Sequence, residues 1–127
     1  MDIRLSSTEV IKIEMVAHEA NEDVSSFDLN YRAAYPPSQP TTFCIVFSLH
    51  TLQPDRYDLR LEFVAWFKTA EPMTETFRAS NFTDINAPAI AFPYLRSYVS
   101  NLTMLSGYEP LMLPTLNFAK LHQENKT

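Results

Sequence analysis

Within residues 57–69, every second side chain from Tyr57 to Phe67 is apolar, and the side chains between them are charged over the first half of the segment. A period of two residues is the geometry of a strand that buries one side and leaves the other partly solvated. Within residues 41–52, every second side chain from Phe43 to Leu49 is likewise apolar, and the turn-forming sequence Gln53-Pro54-Asp55-Arg56 separates the two segments. These features predict a long antiparallel hairpin. Any fold of this chain must cover the apolar side of its two strands.

Three further segments have the character of strands. Residues 10–18 are rich in β-branched side chains and place Ile11, Ile13 and Met15 on one side. Residues 27–32 predict a short edge strand before a proline-rich turn, and residues 74–82 predict a strand that completes a four-stranded antiparallel meander.

The last third of the chain is helical in character. Asn86 is an N-cap candidate, Ser106-Gly107 is a helix C-terminus signal, and together they predict one long helix over residues 88–106. Its apolar stripe is wider than one sheet contact needs. An extended apolar loop over residues 109–116 follows, and Asn117 is placed to cap a short helix over residues 118–124. The fold class is therefore α+β, with one long and one short C-terminal helix on one face of the sheet.

Composition limits the functions that the chain can have. Its 127 residues fit a single domain, and 46% hydrophobic residues supply a core. The net charge of -5 disfavours nucleic acid as a partner, and the apolar runs are too short to span a bilayer. Without a basic, then apolar, N-terminal segment, we expect a cytoplasmic protein. Cys44 is the only cysteine and lies in an apolar run, so we expect a buried structural thiol.

No catalytic constellation is visible in the sequence. His18, His50 and His122 fall in different predicted elements without the spacing of a metal site, and Gly107 is the only glycine, which leaves no nucleotide-binding loop. We therefore expect no enzyme activity, no metal and no cofactor.

One motif is more specific. The helix start runs Asn86-Ala87-Pro88-Ala89-Ile90-Ala91-Phe92-Pro93-Tyr94-Leu95-Arg96, and Leu113-Pro114 and Asn117-Phe118 follow at a set distance. This pattern resembles the C-terminal half of the SecB protein-export chaperones. The resemblance implies a four-stranded antiparallel sheet with helices on one face, and pairing into dimers and then homotetramers through the long helices. It also implies that the protein holds unfolded or precursor polypeptides without ATP and passes them to the SecA motor.

The resemblance directs three residue assignments. Ile90, Leu95, Val99 and Leu102 of the long helix are assigned to the oligomer interface. Glu75 is the nearest match to the acidic strand through which the family docks on SecA. The client-binding surface is assigned to apolar side chains of the helix, the following loop and strand residues 57–69: Trp66, Tyr94, Tyr98, Leu111, Met112, Leu113, Leu116 and Phe118.

Three functions remain open at this point. The first is a general or export chaperone, and the second is a dedicated chaperone of one client, such as the antitoxin of a toxin-antitoxin module. The third is a small-ligand carrier or an interaction module that reuses the fold, because a fold does not fix a function. A closed pocket would favour the third, whereas an open apolar surface would favour the first two.

Overall fold

The computed structural model describes residues 2–17, 25–54 and 56–125. Four strands, β1 (Ile3–Ala17), β2 (Ser26–Ala34), β3 (Thr42–Gln53) and β4 (Tyr57–Thr69), form one antiparallel sheet in the order β1-β4-β3-β2. A short helix α1 (Glu75–Arg78) and a π-helical turn (Phe82–Asn86) lead into the long helix α2 (Ala87–Leu105). The described chain ends with helix α3 (Phe118–Asn125). The predicted α+β class and the two C-terminal helices are confirmed.

The predicted hairpin is confirmed as β3 and β4, but the predicted strand over residues 74–82 is wrong. Thr74 instead caps α1 by accepting a hydrogen bond from the Phe77 amide (3.1 Å). The Thr83 hydroxyl donates to the Arg78 carbonyl (3.2 Å), which holds the next turn in a helical path. Such local bonds between hydroxyls and backbone compete with strand pairing. The strand position beside β4 is taken by β1, which starts at Ile3 rather than at Val10; His18 lies outside the described residues.

Two bulges interrupt β1. Its pairing with β4 shifts between Leu5 and Ser7 and again between Val10 and Lys12, so Ile11 has no partner across the ladder. Ile13 pairs with Leu61, a core residue, and its side chain is therefore on the helix side of the sheet. Ile11 is the extra residue at the second bulge, so the predicted alternation from Ile11 to Met15 is regular only from Lys12 onward.

The core lies between the sheet and α2. Phe43 and Phe67 are fully buried on β3 and β4, and their rings stack with centroids 5.0 Å apart. On α2, Phe92, Leu95 and Val99 are buried against this side of the sheet. The helix runs through Pro93 and ends at Leu105, with Ser106 as its C-cap and Gly107 following at a φ of 95°. Asn86 is not the cap that the sequence indicated, since the π-helical turn continues directly into α2 and its side chain makes no cap bond.

A buried threonine joins α2 to the segment that follows it. Thr103 is fully buried; its hydroxyl donates to the Val99 carbonyl (2.9 Å) and accepts from the Leu111 amide (2.9 Å). Leu113 is then buried against the core, and Asn117 caps α3 as predicted by accepting from the Lys120 amide (3.1 Å). This path lays residues 109–117 along one flank of α2.

We expect Thr103→Val to lower the free energy of unfolding by about 1–3 kcal/mol, because the Leu111 N–H would lose its acceptor while remaining partly buried. Chemical denaturation checks this change. Thr115→Val is the control, since Thr115 is exposed in the same segment and should cost less than about 0.5 kcal/mol. Equal stability of the two variants would show that the Thr103 hydroxyl does not anchor the segment.

Candidate functional site

One flank of α2 carries a row of apolar side chains that the chain leaves uncovered. Tyr94 is 53% exposed and Leu105 is 81% exposed. Their helical positions direct them to the same flank as Tyr98, whose ring lies 5.8 Å from that of Phe63 on β4. Beyond β4 the helix side of β1 is also open, and Ile13 there is 45% exposed. We name this region the β1-side surface; it comprises Val10, Ile13, Met15, Tyr94, Tyr98 and Leu105.

The opposite flank of α2 borders a shallow groove. It has a volume of about 290 Å³ and lies between the helix and the segment that returns along it. Met112 forms its apolar wall, is 69% exposed, and places its sulfur 3.5 Å from the Ser100 hydroxyl. We name this region the C-terminal groove; it is lined by Pro93, Arg96, Ser97, Ser100 and Met112.

The residues assigned to client binding are divided between these two regions and the core. Tyr94 and Tyr98 belong to the β1-side surface, and Met112 to the C-terminal groove. Leu111 and Leu116 are partly buried. Leu113 and Phe118 are buried within the chain and are not available to a client in this conformation, which corrects their assignment to the surface.

Phe118 fixes α3 in place. Its ring meets the rings of Tyr31 (5.2 Å) and Phe92 (5.5 Å) edge to face, an arrangement that favours aromatic pairing. On the same helix, His122 is largely buried with its Nε2 3.9 Å from an Asp84 carboxylate oxygen. Burial, followed by the negative charge of Asp84, raises the pKa of Tyr31 above its ordinary value.

Trp66 lies on the other face of the sheet, which corrects its assignment beside the long helix. Alternation along β4 places it with Cys44, Val46 and Val64, and its indole N–H donates to a Glu9 carboxylate oxygen (2.8 Å). Cys44 is buried in this cluster, and desolvation by burial raises the pKa of its thiol. The expectation of a buried structural cysteine is therefore confirmed.

The residues assigned to the oligomer interface are divided between the core and the exposed side of α2. Leu95 and Val99 are fully buried between α2 and the sheet, so they are core residues of the single chain. Ile90 is 46% exposed and Leu102 is partly exposed. An interface through α2 is accordingly restricted to its exposed side, where Met104 is a further large apolar residue that the sequence analysis did not single out.

Glu75 is exposed on the first turn of α1 and not on a strand. The assignment of this residue to an acidic strand is thus corrected in its geometry. The charged side chains of the strands lie on the outer face of the sheet. There the His50 Nε2 is 2.8 Å from an Asp58 carboxylate oxygen.

β1 was missing from the predicted site. Its alternation correctly placed Ile13 and Met15 on one side, but sequence spacing gives no sign that α2 stops short of covering that side. The position of β1 at the sheet edge, outside the β4-β3-β2 meander, leaves Ile13 and its neighbours exposed.

The described residues contain neither a cluster of metal-binding side chains nor a membrane-spanning helix. Within residues 2–17, 25–54 and 56–125, no three His, Cys, Asp or Glu side chains are grouped so that they could hold a metal ion. In the same ranges, no helix has the length and apolar character needed to cross a membrane.

Fold and surface together define a small α+β protein with open apolar flanks on both sides of a central helix. A family model described as preprotein translocase subunit SecB matches residues 10–127. The chain therefore belongs to the SecB family.

Individual relatives agree with this membership. The protein-export protein SecB of Rhodospirillum centenum is 26% identical over 89% of this chain, which spans 58% of that protein's length. An uncharacterized protein of Methanocaldococcus jannaschii, MJ0357, is 25% identical over 92% of this chain and 80% of its own length. Among solved structures, the SecB-like chaperone Rv1957 of Mycobacterium tuberculosis, in complex with a ChAD peptide from the HigA1 antitoxin, has a similar fold. Its TM-score is 0.67 at 22% identity, with 90% of each chain covered.

Proposed function

We propose that this protein is an ATP-independent chaperone that holds unfolded polypeptides on the apolar surfaces beside α2. The observation that supports it most directly is the exposure of large apolar side chains, led by Leu105, Met112 and Tyr94, on the two flanks of one helix. Monomeric soluble proteins rarely expose extended apolar surface without a binding role. Met and Tyr adapt to partners of varied sequence, which suits a protein that binds unfolded chains.

The open shape of these regions supports polypeptide binding over small-ligand transport. The C-terminal groove is shallow and partly polar, and the β1-side surface spans a helix and a strand. A small-ligand site typically encloses most of its ligand. An extended polypeptide can instead contact many shallow subsites at once and gain affinity by adding them.

Suppression of aggregation tests this function. Purified protein should keep a slowly refolding protein in solution, and the double variant Tyr94→Asp/Met112→Asp should need about tenfold more chaperone for the same protection. Both side chains are exposed, so the variant should remain folded by circular dichroism. Thr76→Asp, an equally exposed substitution on α1, is the control and should act as the unchanged protein does. Equal protection by all three proteins would remove the assignment.

A second candidate function is a dedicated chaperone of one antitoxin or secreted protein. The structural similarity to a SecB-like chaperone that is bound to an antitoxin peptide favours it. A dedicated chaperone should protect one client much better than unrelated unfolded proteins, whereas a general one should not discriminate. Measuring protection for several unrelated clients under one set of conditions separates the two.

Export is the further part of the proposal. Delivery of precursors to SecA from the cytoplasm, with Glu75 in the docking surface and a dimer or tetramer formed through Ile90 and Leu102, follows the family pattern. Sedimentation of the chain alone and with SecA tests the assembly and the handover. Glu75→Lys should weaken SecA binding if the docking assignment is correct.

A further inference from the structure

The two edges of the sheet differ. Among the residues that the structure describes, β1 and β2 each have one neighbouring strand, so each directs every second N–H and C=O to its free edge. Two bulges interrupt β1 and break the even spacing of these groups. β2 pairs with β3 through nine successive positions, from Ser26 to Ala34, without a register shift.

β2 also lacks several of the features that protect edge strands. It contains no proline and no lysine, and its two charged side chains, Asp28 and Arg32, lie on the outer face rather than pointing inward. Phe27 and Leu29 alternate with them on the helix side, and Phe27 is 37% exposed. A regular edge without bulges, proline or inward-pointing charges is a template for another extended chain.

We propose that the free edge of β2 binds an extended segment of a client polypeptide as an added antiparallel strand. The inference rests on the proposed chaperone function and adds a second type of contact to it. Backbone hydrogen bonds give affinity that does not depend on client sequence, and the side chains of β2 set a preference. The helix side offers Phe27 and Leu29, whereas the outer side offers Asp28, Asn30 and Arg32.

The charges of β2 define the preferred partner. Residues directly opposite each other across an antiparallel pair interact, and unlike charges there are favourable. A matched segment is therefore apolar at alternate positions, acidic opposite Arg32 and, four residues later, basic opposite Asp28. The peptide Val-Glu-Val-Thr-Val-Lys-Val has this pattern, and Val-Lys-Val-Thr-Val-Glu-Val has the same composition with the charges exchanged.

Binding of these two peptides to the complete protein tests the proposal. We expect the matched peptide to bind about tenfold more tightly than the exchanged one. The variant Asp28→Lys/Arg32→Glu should reverse the preference, and since both side chains are exposed its fold should be unaffected. Hydrogen exchange followed by NMR should show slower exchange at alternate β2 amides when the matched peptide is present, with no change along β1.

Other outcomes would overturn the proposal. Equal binding of the two peptides, binding of neither, an unreversed preference in the variant, or protection along β1 or α2 alone would exclude the β2 edge as the acceptor. Slow exchange of the edge amides before any peptide is added would assign this edge to a second copy of the chain. Aggregation suppression measured on the same samples distinguishes failure of the β2 inference from failure of the proposed function. If suppression persists, only the β2 inference fails. If suppression is absent, the proposed function fails.

Discussion

Replacing Leu113 by Asp should destabilise the protein by more than about 4 kcal/mol, the largest effect that we expect from a single substitution outside the sheet. Leu113 is 3% exposed and packs into the core, where it anchors the segment of residues 109–117. An aspartate there must either bury an unpaired charge or pull the segment away from α2. Thermal denaturation followed by circular dichroism should show a lower midpoint temperature. The near-UV circular dichroism of the aromatic side chains should also change.

Met112→Asp is the matched comparison, because the adjacent side chain is 69% exposed. Met112→Asp should change the free energy of unfolding by no more than about 0.5 kcal/mol. It should instead weaken client binding. Similar loss of stability in both variants would mean that the segment does not pack as described. Loss of aggregation suppression by Leu113→Asp would therefore report unfolding and not a surface contact.

Phe118→Ala should cost about 3–5 kcal/mol, the usual range for deleting a buried aromatic side chain. Phe118 is 4% exposed and is the main aromatic contact of α3, touching both Tyr31 and Phe92. Its loss leaves a cavity that the short helix alone cannot refill. Urea denaturation measures the change, and hydrogen exchange shows whether α3 separates before the sheet unfolds.

Tyr94→Ala is the control for this aromatic deletion. Tyr94 is more than half exposed, so its removal should change the free energy of unfolding by less than about 0.5 kcal/mol. If Phe118→Ala changed the free energy of unfolding equally little, α3 would contribute little to the stability of the fold. The site that α3 occupies would then be accessible to other ligands.

The fold was predictable where local pattern and tertiary structure agree. Each strand of the β3-β4 hairpin carries an uninterrupted apolar row at every second position, so both the strands and the buried side follow from residue spacing alone. The Ser106-Gly107 signal at the end of α2 and the Asn117 cap were equally local. Residues 74–82 contain apolar and β-branched side chains suited to a strand, yet the hydroxyls of Thr74 and Thr83 bond to nearby backbone and favour helical turns.

The site was less predictable, because it depends on which side and which depth each apolar residue takes. Alternation along residues 57–69 does place Trp66 and Phe67 on opposite faces, so the assignment of Trp66 beside the long helix went against the local pattern. Met112 and Leu113 are adjacent, one exposed and one in the core. The resemblance supplied the family and the α2 segment, but it could not separate surface residues from core residues. Exposure of Ile13 depends on the placement of β1 beyond α2, a long-range feature with no local signal.

The arrangement of α2 down the middle of the sheet has a consequence for the length of chain that can be held. The helix has 19 residues and is therefore about 28 Å long, a distance that an extended polypeptide covers with about eight or nine residues. A fragment of that size fills one side of the helix only. To occupy both sides, a chain must round the helix end, which requires about twenty residues in all. Retention under the proposed function should consequently rise in two stages with chain length, sparing short loops of native proteins and favouring long stretches that have not folded.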